Sequence, residues 1–490
     1  MEDVSVIIVG SGPAGLMLAG ELRLSGMIPL VLEKLDSPSG ESRGIGLTVG
    51  TVEILGQRGL LSRFPGLLPS HRGHFGGVPL DLGALGGGLS AAAGIPQSVT
   101  ERVLGAWVAE LGVEVRRGHR FVGLVQEDDH VRVQVEGPAG PYSLRAGYLV
   151  GCDGGRSPVR KAAGFDFPGT APTRELFLAD VRGLSLEPWP TGRHFPEGMA
   201  MAGPLAEDTV RIIVAERDAP PRRRSEPPEY AEIADAWKRL TGIDITHGEP
   251  VWVSAFGDAS RQVTEYRRGR VLLAGDAAHV HLPAGGQGMN TSIQDAVNLG
   301  WKLASVLRGT GEDTLLDSYH TERHPVGRQL LDNTRAQSLL LFGGEPVAPL
   351  REVLSELLQY EEVASHLAAK VSGLDIRYDT GGGTHPLLGG RLPRLTVSAN
   401  GRTHTAHTLL RTAHGVLLDL EDNAHLRRRA VPWSDRVDIV TATIDPATGS
   451  ALPEGTTAVL LRPDGYVAWA APGSHTDLPG ALHRWFGPPR

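Results

Sequence analysis

The feature that most constrains this chain is a glycine-rich turn between an apolar strand and an apolar helix close to the N-terminus. Residues Val4–Val9 form a continuous β-branched run, which is typical of a strand buried on both faces. The turn Gly10-Ser11-Gly12-Pro13-Ala14-Gly15 follows, and apolar residues then recur at helical spacing as far as Leu24. A second apolar run, Leu30–Leu32, ends on Glu33. This order predicts a strand–turn–helix–strand unit within a parallel sheet.

The spacing of the three glycines indicates a ligand for this turn. Gly10 allows the tight turn, Gly12 lets the backbone approach a pyrophosphate, and Gly15 lets the helix pack closely on the strand. The free N–H groups and the dipole of the helix N-terminus attract phosphates. Glu33, 18 residues after Gly15, is placed to accept hydrogen bonds from an adenosine ribose. Between a strand and a helix this motif is a strong signal for a dinucleotide, and a turn without a ligand is the alternative.

Composition excludes several classes of function. The net charge is −8 with 48 basic and 56 acidic residues, so binding to nucleic acid, which needs basic patches, is not expected. Cys152 is the single cysteine, which rules out an intrachain disulfide, a CxxC redox pair and a cysteine zinc site. No apolar stretch approaches the roughly 20 residues that span a bilayer. The N-terminus lacks the pattern of a signal peptide, so we expect a cytoplasmic enzyme with no membrane partner.

The remaining periodicity predicts an α/β chain with two to four domains. Residues 60–96 are rich in Gly, Leu and Pro, which favours short strands and loops, and residues 374–384 read as a linker. We predict strands at Val113–Val122, Val131–Val135, Tyr148–Val150, Phe177–Val181, Val210–Ala215, Val251–Phe256, Arg270–Ala274 and Val437–Thr443, and helices at Val99–Leu111, Tyr230–Leu240, Asn290–Leu307, Thr314–Leu341 and Leu350–Val371.

Two further motifs follow predicted buried strands in a fixed order. The first is Asp153-Gly154-x-x-Ser157-x-x-Arg160, directly after the strand that ends near Val150. The second is Gly275-Asp276-Ala277-Ala278-His279, which is followed by Pro283 and the turn Gly286–Asn290 before a long helix.

This ordered set resembles the class A flavoprotein aromatic hydroxylases, of the para-hydroxybenzoate and phenol hydroxylase type, over nearly the whole chain. Ile95–Glu101, Gly151–Ser157 and His281–Ser292 are similar to bacterial aromatic polyketide hydroxylases, the angucycline 12-hydroxylase group above all. The resemblance implies an α/β fold with a Rossmann-type FAD-binding domain, a mixed-sheet substrate domain and a C-terminal thioredoxin-like domain. The expected boundaries are 1–75, 97–176 and 268–385 for the FAD-binding domain, 76–96 and 177–267 for the substrate domain, and 386–490 for the thioredoxin-like domain.

The thioredoxin-like expectation is carried by the segment Leu461–Trp469. A domain of this kind normally carries a CxxC pair, but residues 386–490 contain no cysteine. Thiol chemistry is therefore excluded there, and packing or a subunit contact is the expected role.

The resemblance implies FAD as the cofactor and assigns residues to it. Asp276 would accept a ribityl hydroxyl, and the helix that begins near Gly288 would stabilise the negative charge that reduction places on the flavin pyrimidine ring. Arg43 would reach the flavin side, Gln97 the ribityl chain, and the main chain of Val122 the adenine. The expected cofactor-binding residues are Gly10, Gly12, Pro13, Ala14, Gly15, Glu33, Lys34, Arg43, Gln97, Val122, Asp153, Gly154, Gly275, Asp276, Pro283, Gly286, Gln287, Gly288, Met289 and Asn290.

Other candidate residues concern NAD(P)H, substrate and metal. The resemblance places Arg156 and Arg160 on the path of NAD(P)H. Substrate is expected on the sheet of the middle domain, above the flavin, and a core role is the alternative for each of its candidate residues. His279 and His281 lack the acidic or cysteine partners of a metal site, and Glu322 and Asp332 are predicted to be solvated. The substrate candidates are His74, Phe75, Phe177, Asp180 and Met201.

The implied reaction is oxygenation. NADPH or NADH reduces FAD, O₂ adds to form an FAD C4a-hydroperoxide, and oxygen is transferred to a polycyclic aromatic polyketide, an angucyclinone, in antibiotic biosynthesis. The protein must exclude water, and no residue is assigned as acid or base. The alternatives are Baeyer–Villiger insertion of oxygen beside a ketone, an NAD-dependent dehydrogenase, and a redox-silent binding or dehydratase role. The chain is expected to act as a monomer or a homodimer.

Overall fold

The structure of the chain is a computed structural model that describes residues 2–41, 44–67, 69–85, 91–217, 219–222, 224–399, 401–449 and 452–490. Strands and helices are numbered below in chain order.

The strands are β1 Glu2–Val9, β2 Pro29–Glu33, β3 Gly46–Leu47, β4 Pro69–Ser70, β5 Arg72–Phe75, β6 Val78–Asp81, β7 Ala92–Gly94, β8 Glu114–Arg117, β9 Arg120–Gln126, β10 Val131–Gly137, β11 Gly140–Gly151, β12 Gly169–Thr170, β13 Glu175–Arg182, β14 Trp189–Phe195, β15 Gly198–Ala206, β16 Thr209–Glu216, β17 Glu249–Gly257, β18 Ser260–Gln262, β19 Arg267–Arg268, β20 Val271–Leu273, β21 His279–Val280, β22 Thr396–Ala399, β23 Arg402–Thr405, β24 Gly415–Asp419, β25 Val437–Thr441, β26 Thr443–Ile444, β27 Ala458–Leu461 and β28 Val467–Ala471.

The helices are α1 Pro13–Leu24, α2 Val49–Gln57, α3 Gln97–Glu110, α4 Pro158–Ala162, α5 Tyr230–Thr241, α6 Gln287–Leu307, α7 Thr314–Phe342, α8 Ala348–Leu357, α9 Glu361–Ser372, α10 Ala424–Ala430, α11 Pro446–Gly449 and α12 Leu478–Phe486.

The central sheet has the order β19-β20-β11-β1-β2-β8, in which β20, β11, β1, β2 and β8 run parallel and β19 is antiparallel at the edge. Strands β10 and β9 extend from β11 as an antiparallel ribbon. Residues 6–9 of β1 and 30–32 of β2 are buried, and α1 packs between this sheet and α6. The mixed α/β fold predicted from the sequence is confirmed.

The middle sheet has the order β14-β15-β16-β13-β17, and every neighbouring pair in it is antiparallel. Helix α5 covers one face through a cluster that contains Trp237 and Ile233. The opposite face packs on the loop that follows β21 and on the end of α7, through Leu282 and Leu341. The middle sheet therefore has one core face and one face toward the glycine-rich loops.

The C-terminal region, residues 386–490, contains the sheet β25-β24-β27-β28, in which β24 and β25 are parallel, and the smaller sheet β23-β22-β26. An apolar cluster of α10, α12 and these strands also includes Trp301 of α6 and Leu315 of α7. The C-terminal region therefore shares its core with the helices that follow the third motif.

Two predicted elements are divided in the structure. The single strand predicted at Val113–Val122 is two strands, β8 and β9, because Gly118 adopts a left-handed conformation (φ 71°) and turns the chain between them. The single helix predicted at Leu350–Val371 is α8 and α9. The break lets Leu354 of α8, Leu358 directly after it and Ala368 of α9 pack on the same cluster around Phe75. Both differences arise from turns and packing that periodicity alone does not report.

Within the described residues, no helix is long and apolar enough to cross a membrane.

Candidate functional site

The three glycine-containing motifs lie at the carboxyl ends of three adjacent parallel strands. Val9 at the end of β1 pairs with Gly151 at the end of β11, and Gly151 pairs with Leu273 at the end of β20. The motifs at residues 10–15, 151–160 and 275–279 therefore meet at one edge of the central sheet, which is where open α/β sheets bind ligands.

The glycines of the first motif have different roles. An added Cβ at Gly10, which has φ 105°, would overlap the carbonyl oxygen of Cys152, and one at Gly15 would overlap the carbonyl oxygen of Gly10. These two glycines are required by close chain packing. At Gly12, the residue before α1, an added Cβ would meet no protein atom within 4 Å, and no side chain caps the helix. The space at Gly12 and the free N–H groups of α1 form an anion-binding position.

Glu33, at the end of β2, lies beside this anion-binding position and contacts Ser11. Its Oε2 accepts hydrogen bonds from the backbone N–H and the hydroxyl of Ser11, both at 2.9 Å, and its Oε1 accepts one from the N–H of Leu35 at 3.0 Å. An ionised carboxylate has about four acceptor positions, so Glu33 retains capacity for a ribose hydroxyl. Lys34 is exposed next to it, whereas Val122 is an exposed residue inside β9 rather than after a strand.

In the second motif Asp153 and Arg160 face inward. Asp153 Oδ2 accepts from the N–H of Val159 at 2.9 Å, whereas the buried Oδ1 has no hydrogen-bond partner. Burial raises the pKa of Asp153. Arg160 donates to the carbonyl oxygens of Ala277 and Gly155 and stacks on an aromatic ring, so it has a structural role and the NAD(P)H path predicted for it finds no support in its placement. Arg156 is exposed.

The third motif is held by a carboxylate that the sequence reasoning missed. Asp295 of α6 accepts from the N–H of Gly275 at 3.1 Å and from Nε2 of His279 at 2.8 Å, both at Oδ2. Its Oδ1 accepts from Nε of Arg323 at 2.7 Å. Burial opposes ionisation, but the charges of Arg323 and His279 outweigh it and lower the pKa of Asp295. Between the two anchored residues, Asp276 is exposed and makes no hydrogen bond to another described residue.

The loop before α6 turns on Gly285 and Gly286, which have φ 67° and 66°. No side chain caps α6, and an added Cβ at Gly286 would meet no protein atom within 4 Å. Asn290 holds the loop in place, since its Oδ1 accepts from the N–H of Thr48 at 2.9 Å and its Nδ2 donates to the carbonyl oxygen of Gly286 at 2.7 Å. The N-terminus of α6 is thus fixed with its positive end open.

The other predicted cofactor residues are placed around this loop. Gln97 Oε1 accepts from the N–H of Gly44 at 3.4 Å, and Met289 is half-buried against the main core. Pro283 is exposed, and Gly288 faces His281, whose pKa is lowered by burial and by His279. The prediction for Arg43 falls outside the described residues.

These features fit the FAD that the resemblance implies. The buried and unpartnered Oδ1 of Asp153, the exposed carboxylate of Asp276 and the open positions at Gly12 and Gly286 all lie at the loops of this edge. A buried acceptor without a partner is costly unless a ligand supplies a donor. The edge can therefore bind a long ligand with two phosphates, a polyol and a ring that gains negative charge.

The substrate candidates of the middle sheet lie on its two different faces, and one of these faces points to the edge with the three motifs. Leu176 and Met201 lie on that face with Leu282 and Ala284 of the flavin loop, residues 281–286. Phe177 points to the opposite face and packs with the core under α5, which is the alternative role expected for it. Asp180 lies on the correct face but is buried in a bidentate pair with Arg211, with both bonds at 2.7 Å, so it has a structural partner.

The remaining two candidates lie in the hairpin of β5 and β6. Phe75 belongs to a core cluster with Leu80 and Leu340, so a direct substrate contact is not expected of it. His74 Nδ1 accepts from the N–H of Gly77 at 3.3 Å, and burial lowers its pKa. This imidazole is therefore neutral near pH 7.

A chain of amide side chains joins this hairpin to the flavin loop. Gln337 of α7 accepts from the N–H of Gly76 at 3.2 Å and donates to Asn333 at 3.2 Å. Asn333 donates to Gln287 at 3.1 Å, and Gln287 donates to the carbonyl oxygen of Ala284 at 3.3 Å. The hairpin and the flavin loop are thus held in one arrangement.

The two faces of the middle sheet predict different effects for matched substitutions. Met201→Ala removes apolar contact from the face toward the flavin loop and should raise the KM for the substrate by about three- to tenfold, because this half-buried side chain contributes about half of the ~1.5–3 kcal/mol of a fully buried methionine. Phe177→Leu should leave KM unchanged and lower the free energy of unfolding by about 1–2 kcal/mol. Steady-state kinetics and denaturant unfolding of both variants would check this, and a raised KM for Phe177→Leu alone would reverse the assignment of faces.

The sequence reasoning also misjudged one carboxylate on α7. Glu322, predicted to be solvated, is buried and binds Arg462 Nη1 at 2.6 Å and Lys302 Nζ at 2.7 Å. Asp332 is exposed, as predicted. The missed residues share a signal, since Asp295, Lys302 and Arg323 are charged residues at apolar positions of long helices, and such residues need buried partners.

Comparisons with known proteins identify two matching families and several similar monooxygenases. Residues 3–334 match the family described as "FAD binding domain", and residues 385–489 match "Aromatic-ring hydroxylase, C-terminal". The chain is 45% identical to a 12-dehydrotetracycline 5-monooxygenase/anhydrotetracycline 6-monooxygenase of Streptomyces rimosus, over 99% of both chains.

Two solved structures cover 100% of both chains. One, from structural and functional studies of BexE on oxidation during BE-7585A biosynthesis, has 63% identity and a TM-score of 0.95. The other is CabE, described as an aromatic hydroxylase from angucycline biosynthesis, with 59% identity and a TM-score of 0.97.

Proposed function

Because this chain belongs to the FAD-dependent aromatic-ring hydroxylases and is a monooxygenase of the kind found in polyketide antibiotic biosynthesis, we propose that it uses NAD(P)H and O₂ to hydroxylate an angucyclinone. The observation that carries the substrate class is the 59% identity, over the full length of both chains, with an aromatic hydroxylase from angucycline biosynthesis. The relative at 45% identity is named for oxygenation of 12-dehydrotetracycline and anhydrotetracycline, which also supports a polyketide substrate.

The residues at the edge of the central sheet supply binding and electrostatics. The N–H groups of α1 beside Gly12 would bind the pyrophosphate of FAD, and Glu33 would bind its adenosine ribose. Asp276, held by its anchored neighbours, would accept a ribityl hydroxyl. The open N-terminus of α6 would stabilise negative charge on the flavin ring. FAD, when bound, supplies the electron transfer and the activation of oxygen.

The middle sheet supplies the substrate surface. The side chains of Leu176, Met201 and Ile213 form an apolar face against the flavin loop and the end of α7. A flat polycyclic ring system fits an apolar wall of this kind, and the wall also excludes water from the reacting atoms. Buried Arg211 and Asp180 neutralise each other on the same face and hold neighbouring strands together. Substrate orientation thus depends on shape and apolar contact.

The domain division proposed for the chain is the one that the resemblance implies. Residues 1–75, 97–176 and 268–385 would form the Rossmann-type FAD-binding domain, and 76–96 with 177–267 the substrate domain. Residues 386–490 would form a thioredoxin-like domain without thiol chemistry, as the matching family and the parallel pair β24–β25 support.

The test is an anaerobic titration of the FAD-loaded protein with NADPH or NADH, with and without an angucyclinone, followed by ¹⁸O₂. We expect the flavin absorbance to bleach faster with substrate and the product to carry one ¹⁸O atom on an aromatic carbon. A ring-expanded lactone would instead establish oxygen insertion beside a ketone. A flavin that never bleaches would contradict the proposed use of NAD(P)H, and an unlabelled product would contradict oxygenation by O₂.

A further inference from the structure

A continuous series of buried contacts connects the C-terminal region to the loop of the third motif. Tyr466, in the hairpin between β27 and β28, packs against Tyr378 with ring centroids 4.3 Å apart. The hydroxyl of Tyr378 accepts a hydrogen bond from Nη1 of Arg323 at 2.9 Å, and Nε of Arg323 donates to Oδ1 of Asp295 at 2.7 Å. The hairpin of the C-terminal region therefore reaches Asp295 through two side chains.

Asp295 connects Arg323 to the loop of the third motif. Its other oxygen, Oδ2, accepts from the N–H of Gly275 at 3.1 Å and from His279 at 2.8 Å. Asp276 lies between these two anchored residues. Both oxygens of Asp295 are occupied on opposite sides, so rotation of this carboxylate would break a charged hydrogen bond on one side.

A second set of contacts holds the same stretch of α7. Glu322, adjacent to Arg323, accepts two hydrogen bonds from Arg462, at 2.6 and 2.9 Å. Asp464 lies two residues further on and accepts from Trp301 and Asn298 of α6, both at 3.3 Å. The turn at residues 462–465 thus contacts both α6 and α7. Its contact on α7 is Glu322, the residue before Arg323, which binds Asp295.

We propose that Tyr378 and Arg323 are positioning residues for FAD, and that through them the C-terminal region sets the position of Asp276. The inference rests on the assignment of Asp276 to the cofactor made above. With no cysteine in residues 386–490, the region contributes geometry instead of thiol chemistry. The buried path through Tyr378 and Arg323 gives the region a physical connection to the loop of the third motif.

Tyr378→Phe tests the proposal with the smallest change. The phenylalanine keeps the ring contact with Tyr466 and removes the hydroxyl that accepts from Arg323. We expect the dissociation constant for FAD to rise about three- to tenfold, because only part of the free energy of one charged hydrogen bond is lost at the cofactor site. Recovery of flavin fluorescence from the full chain measures this constant. The visible circular dichroism of the bound flavin should change as well.

Tyr230→Phe is the matched control. The Tyr230 hydroxyl donates to the carbonyl oxygen of Ile245 at 2.6 Å, beside the middle sheet and away from this path. Tyr230→Phe should lower the thermal midpoint of the apoprotein about as much as Tyr378→Phe does, because each variant loses one hydrogen bond. It should leave the FAD dissociation constant unchanged. An unchanged FAD constant and flavin dichroism for Tyr378→Phe would overturn the proposal, as would an equal loss of FAD affinity in both variants.

Asp276→Asn distinguishes the positioning role of Tyr378 and Arg323 from the assignment of Asp276 to the cofactor. If Asp276→Asn leaves FAD affinity unchanged, the cofactor assignment of Asp276 fails. If it weakens FAD and Tyr378→Phe does not, only the positioning role fails. In the double variant we expect less than the product of the two single effects, because both act on one contact. Fully multiplicative effects would overturn the path through Asp276.

Discussion

Gly12→Asp should abolish FAD binding at ordinary protein concentrations while the apoprotein stays folded. Gly12 has extended backbone dihedrals (φ −74°, ψ −177°), and its added Cβ meets no protein atom within 4 Å, so a side chain is tolerated. Aspartate is also a favoured residue before a helix, so α1 should be stabilised slightly. Its carboxylate would stand where the pyrophosphate binds, and two like charges ~4 Å apart repel by ~4 kcal/mol at an effective dielectric constant of 20.

We therefore expect the FAD dissociation constant to rise about 100-fold or more, measured by titration of apoprotein with FAD. Gly12→Asn has the same size without the charge and should cost far less. Gly105→Asp adds the same charge at another glycine with open surroundings, in α3, and should not change FAD affinity. If Gly12→Asp binds FAD within threefold of the unmodified protein, the pyrophosphate does not lie at Gly12.

Glu322→Gln should cause a large loss of stability for a conservative change on α7. The carboxylate is the shared partner of Arg462 and Lys302, whose side chains are fully buried. Removing the charge leaves two buried cations with Asp464 as their remaining counter-ion. Breaking a buried pair in this way costs ~3–5 kcal/mol, measured as the free energy of unfolding at pH 7. Asp332→Asn, on the exposed face of the same helix, should change it by less than ~0.5 kcal/mol.

The pH dependence of this effect has a defined sign. Burial disfavours the charged form of Glu322, but the charges of Arg462 and Lys302 outweigh it and lower the pKa to about 2. A carboxyl group with a folded-state pKa below its unfolded value stabilises the fold above pH ~4.5, and this contribution is lost as pH falls toward 2. The difference in unfolding free energy between the unmodified protein and Glu322→Gln should shrink over that interval. A difference that stays constant from pH 7 to pH 3 would contradict the charged state of Glu322.

Much of the cofactor edge could be predicted because its chemistry is local. The turn after β1 needs glycine at Gly10 and Gly15 to pass close to neighbouring backbone, and this requirement is written in a few consecutive residues. The three motifs each follow a strand of one parallel sheet, so their meeting at one edge follows from the order of elements. The residues that hold Asp276 could not be predicted in the same way, because Asp295 and Arg323 act across helices α6 and α7.

For the substrate residues too, local sequence predicts the strand, whereas the packing partners of each face depend on the tertiary structure. The sequence shows the alternation of β13, and it predicts both Phe177 and Asp180 as substrate candidates although the two side chains lie on opposite faces. Which face meets the flavin loop depends on α5, which covers the side of Phe177, and on Leu282 and Leu341, which cover the other. Period-two alternation separates the faces of a strand and does not say which partner each face meets.

The sequence by itself determined the fold class, the glycine-rich edge and the absence of thiol chemistry in residues 386–490, since each depends on residues close together in the chain or on composition. Only the tertiary structure decided that Glu322 is buried while Asp332, ten residues later on the same helix, is exposed. The partner of Glu322 is Arg462, 140 residues away. Whether a carboxylate is solvated or buried depends on the charges that folding brings to it, and a contact at that separation leaves no local pattern.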